Sequence, residues 1–167
     1  HDIPNTVQKG LKAILKLNPL FTTIHISGGD EMQKISSLKN NKKTNILGVT
    51  VLTSLDEKQT LKYYKEKKVD ILVKKFAKYA KKNNIGGLVC SPLEINIVRK
   101  EVGRQMILVV PGIRLENKSK GKKDDQKRTL TPKEAINLGA DFLVIGRPII
   151  ESKNPLVTIK KINQSIQ

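Results

Sequence analysis

Apolar positions along the chain follow two alternating patterns. Short continuous runs, often β-branched, occur at 21–26 (FTTIHI), 46–52 (ILGVTVL), 86–90 (GGLVC), Ile107–Val110 (ILVV) and 142–145 (FLVI). Runs of this length bounded by Gly, Pro, Ser or Asn read as strands buried on both faces. Between them the apolar spacing turns helical. Val7, Leu11, Ile14 and Leu15 repeat at helical spacing behind Pro4, which suits a first helical turn with Asn5 or Thr6 as cap. Further helices are predicted over 30–40, 55–67 (Ser54 or Asp56 as cap), 69–82, 94–101, 132–138 and 155–164. In the 69–82 helix Ile71, Leu72, Phe76, Tyr79 and Ala80 fall near one face. The polar tract 116–125 reads as a mobile loop.

Strand and helix thus alternate five times at spacings of about 20 to 40 residues, as a parallel α/β fold requires. Each strand runs into small or polar residues: Ser27-Gly28-Gly29, Thr53-Ser54, Ser91-Pro92, Pro111-Gly112 and Gly146-Arg147. A (β/α)8 TIM barrel collects its chemistry at one rim in this way, and the loops after its last two strands are a frequent phosphate site. The stretch 107–148 fits that site, because glycine lets main-chain N–H groups approach an anion and arginine supplies a charge-assisted fork. Five strands cannot close an eight-stranded barrel. Either three strands precede His1 or the sheet is a smaller, doubly wound one, and the pattern alone leaves both open.

Composition narrows the partners. At 167 residues the length suits one domain, 1–167. One cysteine allows no internal disulfide and suits a reducing cytoplasm. No apolar run approaches the roughly 20 residues of a membrane span. Lys+Arg outnumber Asp+Glu 32 to 15, a net charge of +17, which raises the possibility of a nucleic-acid-binding module. The lysines are nevertheless scattered over helix faces and loops, and only 4% of residues are aromatic and able to stack on bases, so nucleic acid is the weaker reading. The same field would draw in a phosphorylated small molecule.

The segments HDIPNTV, VTVLTS, VCSP, PGIR, DDQKR followed by TP, and GADFLVIGRPI stand in the order found in orotidine 5'-phosphate decarboxylases, and the chain resembles that family from His1 to its last helix. The resemblance implies a TIM barrel of which this chain is similar to strands four to eight. It implies a homodimeric lyase that needs neither cofactor nor metal and converts orotidylate to UMP and CO2 in pyrimidine synthesis. Asp2 matches the final Asp of the family's Asp-x-Lys-x-x-Asp signature, whose first Asp and catalytic Lys would lie before His1. Without them the isolated chain is expected to be inactive. The resemblance also implies that Asp2 and Thr6 reach the neighbouring subunit's site. It further implies that Thr53 and Arg114 contact the substrate, that Ser91 reads the pyrimidine edge, that Gly146 and Arg147 hold the phosphate, and that Gln126 closes over it from a lid.

Each of these residues has a plainer reading. Asp2, Thr53 and Ser91 are all good helix caps, and a strand-end Gly-Arg is often surface. His25 fits a core or rim histidine better than a base, and Cys90 fits a small buried hydrophobe. The histidines and carboxylates show no metal-ligand spacing. Two alternatives to the decarboxylase stand beside it: a sister barrel acting on a sugar phosphate, such as a hexulose-phosphate synthase, and the basic nucleic-acid-binding module. HDIPNT, LTS and DDQKR speak against the sister barrel.

Overall fold

A computed structural model describes residues 1–36, 44–115 and 129–167. Its five strands are β1 (Phe21–His25), β2 (Asn45–Val49), β3 (Gly87–Val89), β4 (Ile107–Val110) and β5 (Phe142–Leu143). They lie side by side in chain order, and each neighbouring pair is parallel. A doubly wound sheet reverses direction part-way through its strand order, whereas a barrel lays each strand beside the last. The observed order therefore removes the doubly wound alternative. The sheet also curls. In a flat sheet four strand spacings would hold the two edges about 19 Å apart. Here the rings of Phe21 on β1 and Phe142 on β5 meet edge to face with centroids 4.9 Å apart.

The helices are α1 (Pro4–Leu15), α2 (Asp30–Ser36), α3 (Glu57–Tyr64), α4 (Val69–Lys82), α5 (Ile95–Val102), α6 (Pro132–Leu138), α7 (Arg147–Ile150) and α8 (Pro155–Ser165). Near neighbours in sequence pack together, α1 on α2, α4 on α5, α5 on α6, and α6 on α8, as in an outer ring. Behind the strands, α4 buries Val69, Leu72, Val73, Phe76, Ala77 and Ala80, and α5 buries Ile95, Val98 and Val102 against Leu88, Leu108 and Val110. Ile71, expected on that face, is 49% exposed. At about 100° per residue it sits about 200° round the helix from Val73, on the solvent side.

Several boundaries differ from the sequence reading, for local reasons. Pro4 occupies the first helical position of α1, so Ile3 is its cap residue. Asn5 and Thr6 therefore lie inside the helix, and neither caps it. Ile26 leaves β1 for a single 3-10 turn, Ile26–Gly28. Beyond β2, Thr50 still holds Val89 O through both its N–H and its hydroxyl (3.1 and 2.9 Å), and the strand ends there. Asp56, not Ser54, caps α3, in a reciprocal box with Gln59. Lys65 ends that helix early with a left-handed φ of 57°. β5 is two residues long, and the chain then turns into α7, a helix the sequence reading lacks. Of the helix expected over 30–40, the part beyond Ser36 lies outside the described residues, as does the loop 116–125.

Candidate active site

Parallel register carries every strand end to the same rim. Val49 pairs with Val89, Val89 with Val109, and Val110 with Leu143. Hydrogen bonds beyond the ladder continue the alignment, from Cys90 N to Val109 O (3.4 Å) and from Val144 N to Val110 O (2.9 Å). Thr53, Ser91, Arg114 and Gly146-Arg147 therefore follow four adjacent strands, β2 to β5, on one end of the sheet. A helix packed antiparallel to its strand begins at the rim where that strand ends. The start of α1 does so, because the His1 ring lies 5.9 Å from that of His25 at the end of β1. Asp2 and Thr6 thus join the same rim at β1, and both are exposed. Asp2 Oδ1 accepts the Ile3 N–H at 2.6 Å.

The rim residues differ in how firmly they are held. Ser91 is fully buried. Its N–H donates to Glu94 Oε2 (3.0 Å) and its Oγ accepts from Leu93 N (3.4 Å), a capping box that opens the turn Pro92–Glu94. The S-P-x-E spacing signals this box, and Glu94, itself buried, is a site residue that only this spacing announces. Thr53 lies half-buried in the turn after β2 and caps no helix. Arg114 follows Gly112, whose φ of 83° bends the chain off β4. Its N–H is tied to Leu130 O at 2.9 Å and its Nη1 to Ile113 O at 2.9 Å, so the PGIR turn is braced against the segment that leads into α6. Gly146 is exposed, and the position a Cβ would take there is open space. Arg147, half-buried, begins α7 directly after it. Gln126 lies outside the described residues.

His25 is a half-buried rim histidine. Burial chiefly holds its imidazole below the ordinary value of 6.5. It thus favours the neutral form, a hydrogen-bonding rather than a charged presence at the rim. Cys90 is buried behind the rim. Among the described residues no group of three or more His, Cys, Asp or Glu is arranged to hold a metal ion. No helix among them is long and apolar enough to cross a membrane. Taken together, the rim offers a half-buried arginine beside open main chain at β5, braced turns at β3 and β4, and a carboxylate at β1. That set can grip a phosphate at one side and address a polar ring at the other.

Known proteins resemble this chain in sequence and in fold. The chain is 46% identical to orotidine 5'-phosphate decarboxylase of Wolbachia pipientis subsp. Culex pipiens (strain wPip), over 99% of this chain and 72% of that protein. It is 41% identical to the orotidine 5'-phosphate decarboxylase of Coxiella burnetii (strain RSA 331 / Henzerling II), over 100% of this chain and 72% of that one. The crystal structure of orotidine 5'-phosphate decarboxylase from Lactobacillus acidophilus superposes with a TM-score of 0.80 at 32% identity, covering 100% of this chain and 72% of that chain. The barrel and the resemblance read from the motifs are both borne out. The family model for orotidine 5'-phosphate decarboxylase / HUMPS matches residues 1–162, and the chain belongs to that family.

Proposed function

We propose that the protein is a carboxy-lyase acting on orotidine 5'-phosphate, with its phosphate held by Arg147 and the Gly146 main chain. The observation that carries this is the convergence of the four strand ends β2 to β5 and the start of α1 on one rim, with the Gly-Arg step at the last strand. Breaking the bond from C6 to the carboxylate leaves an electron pair on C6, which a proton must meet. Asp2 stands as the last carboxylate of the family signature whose lysine supplies that proton, and its negative charge helps hold the lysine cationic. Ser91, fixed by Glu94, addresses the pyrimidine edge, while Thr53 and Arg114 contact the remainder of the nucleotide.

Asp2 and Thr6, exposed at the start of α1, are available to a neighbouring site in a homodimer. A single, buried thiol suits a reducing cytoplasm. The family description also takes in a sugar-phosphate branch, whose ligand has no base for Ser91 to read. Titration with UMP and with ribulose 5-phosphate separates the two. UMP binding the tighter supports the nucleotide reading, and ribulose 5-phosphate binding the tighter would move the protein to the other branch.

A further inference from the structure

We propose that Arg99 and Asp141, at the opposite end of β5 from the rim, are positioning residues for the Gly146-Arg147 grip; this rests on the phosphate reading above. β5 contributes Phe142 and Leu143 to the ladder and one further bond from Val144 N to Val110 O (2.9 Å), so its register leans on what holds its start. The start of the strand is clamped. Asp141 Oδ2 accepts the Leu108 N–H at 2.7 Å, and the Asp141 N–H donates to Leu108 O at 3.0 Å. The same oxygen receives Arg99 Nη2 at 2.6 Å.

Arg99 is itself held on every side. Its Nε and Nη2 donate to Gly139 O (2.9 and 2.7 Å), and its Nη1 donates to Gly103 O (2.8 Å) and Met106 O (2.7 Å). One guanidinium thus joins the end of α5, the approach to β4 and the turn from α6 into β5. Its side chain is 9% exposed, so water competes poorly for these bonds. Only a planar fork can serve so many acceptors at once.

The consequence appears at the other end of the strand. A one-residue slip of β5 on β4 would raise or lower Gly146 and Arg147 relative to the rim by about 3.3 Å and invert the strand's faces. Misplacement of about 1 Å is already costly where groups must meet an anion. The clamp at Leu108 excludes that slip, and so sets where the guanidinium of Arg147 stands.

The test is calorimetric titration of the full chain with UMP and with uridine, alongside thermal melts. The ratio of the two affinities reads the phosphate contact alone. Asp141→Ala is expected to lower that ratio about tenfold or more while uridine binding holds. Asp141→Asn, which keeps an oxygen for Leu108 N–H, recovers part of it, and Arg99→Lys shows an intermediate loss. Should Asp141→Ala fail to fold, the other two variants carry the same comparison. A lower melting temperature with an unchanged ratio in all folded variants would overturn the proposal, leaving the pair purely structural. Arg147→Ala is the control. If it too leaves the ratio unchanged, the phosphate reading itself fails, and the positioning role of Arg99 and Asp141 with it.

Discussion

At the scale of single residues, the rim combines groups whose surroundings already decide what they can do. Arg147 stands beside main chain that nothing covers at Gly146, whereas Ser91 is buried with both its N–H and its Oγ engaged. Arg147→Ala should weaken UMP binding by about 1.5–3 kcal/mol, the range for a hydrogen bond to a charged group. Arg147→Lys should recover part of that, because a point charge cannot match the fork. Titration of both variants checks the pair. Asp30 carries a pH dependence of its own. The Asn83 amide (3.1 Å) and the Lys82 ammonium (3.3 Å) hold its carboxyl below the ordinary value of 3.8. The folded pKa lies below the unfolded one, so the stabilisation is complete above 3.8 and is lost as pH falls through the native value. Urea midpoints taken from about pH 5 down to pH 2 should fall less steeply for Asp30→Asn than for the parent.

At the scale of elements, backbone approach and caps hold the scaffold to its register. Gly87 in β3 lies so close to its neighbours that a Cβ would meet Leu47 Cδ2 at 2.6 Å and Ile107 O at 2.7 Å. The second contact is main chain in β4 and cannot rotate away. Gly87→Ala should therefore cost about 1–3 kcal/mol, measured by chemical denaturation. Thr131 and Glu134 close a capping box on α6. Thr131→Ala should cost about 0.5–2 kcal/mol in the same measurement.

The elements differ in how plainly the sequence announced them. β4, α4 and α6 have the limits expected from apolar periodicity and terminal Gly or Asn, because long or strongly bounded segments carry their own signals. β5 and β2 are shorter than their apolar runs. Val144 and Ile145 continue the hydrophobic run while the chain bends out of the sheet toward α7. Composition cannot report a bend that tertiary packing imposes. Likewise S-P-x-E announces the Ser91–Glu94 box, but nothing local announces Arg99. Its partners lie up to 42 positions away and most of them are main-chain carbonyls, which leave no mark on a sequence pattern.

At the scale of the whole molecule, five parallel strands in chain order curl until the edge residues Phe21 and Phe142 touch, and the curvature gathers the strand ends into one concave rim. The charge of +17 is spread along the chain, with Lys74, Lys75, Lys78, Lys81 and Lys82 exposed on α4. Such a field speeds the arrival of an anion more than it tightens its grip. Raising ionic strength should therefore lower the association rate for UMP more than it raises the dissociation rate, as stopped-flow measurements would show. The central claim is that the rim cradles a nucleotide's phosphate at the end of β5. A crystal structure with UMP tests it most directly. The phosphate is expected within hydrogen-bonding reach of the Arg147 guanidinium and the Gly146 main chain; phosphate density at any other part of the molecule would contradict the account.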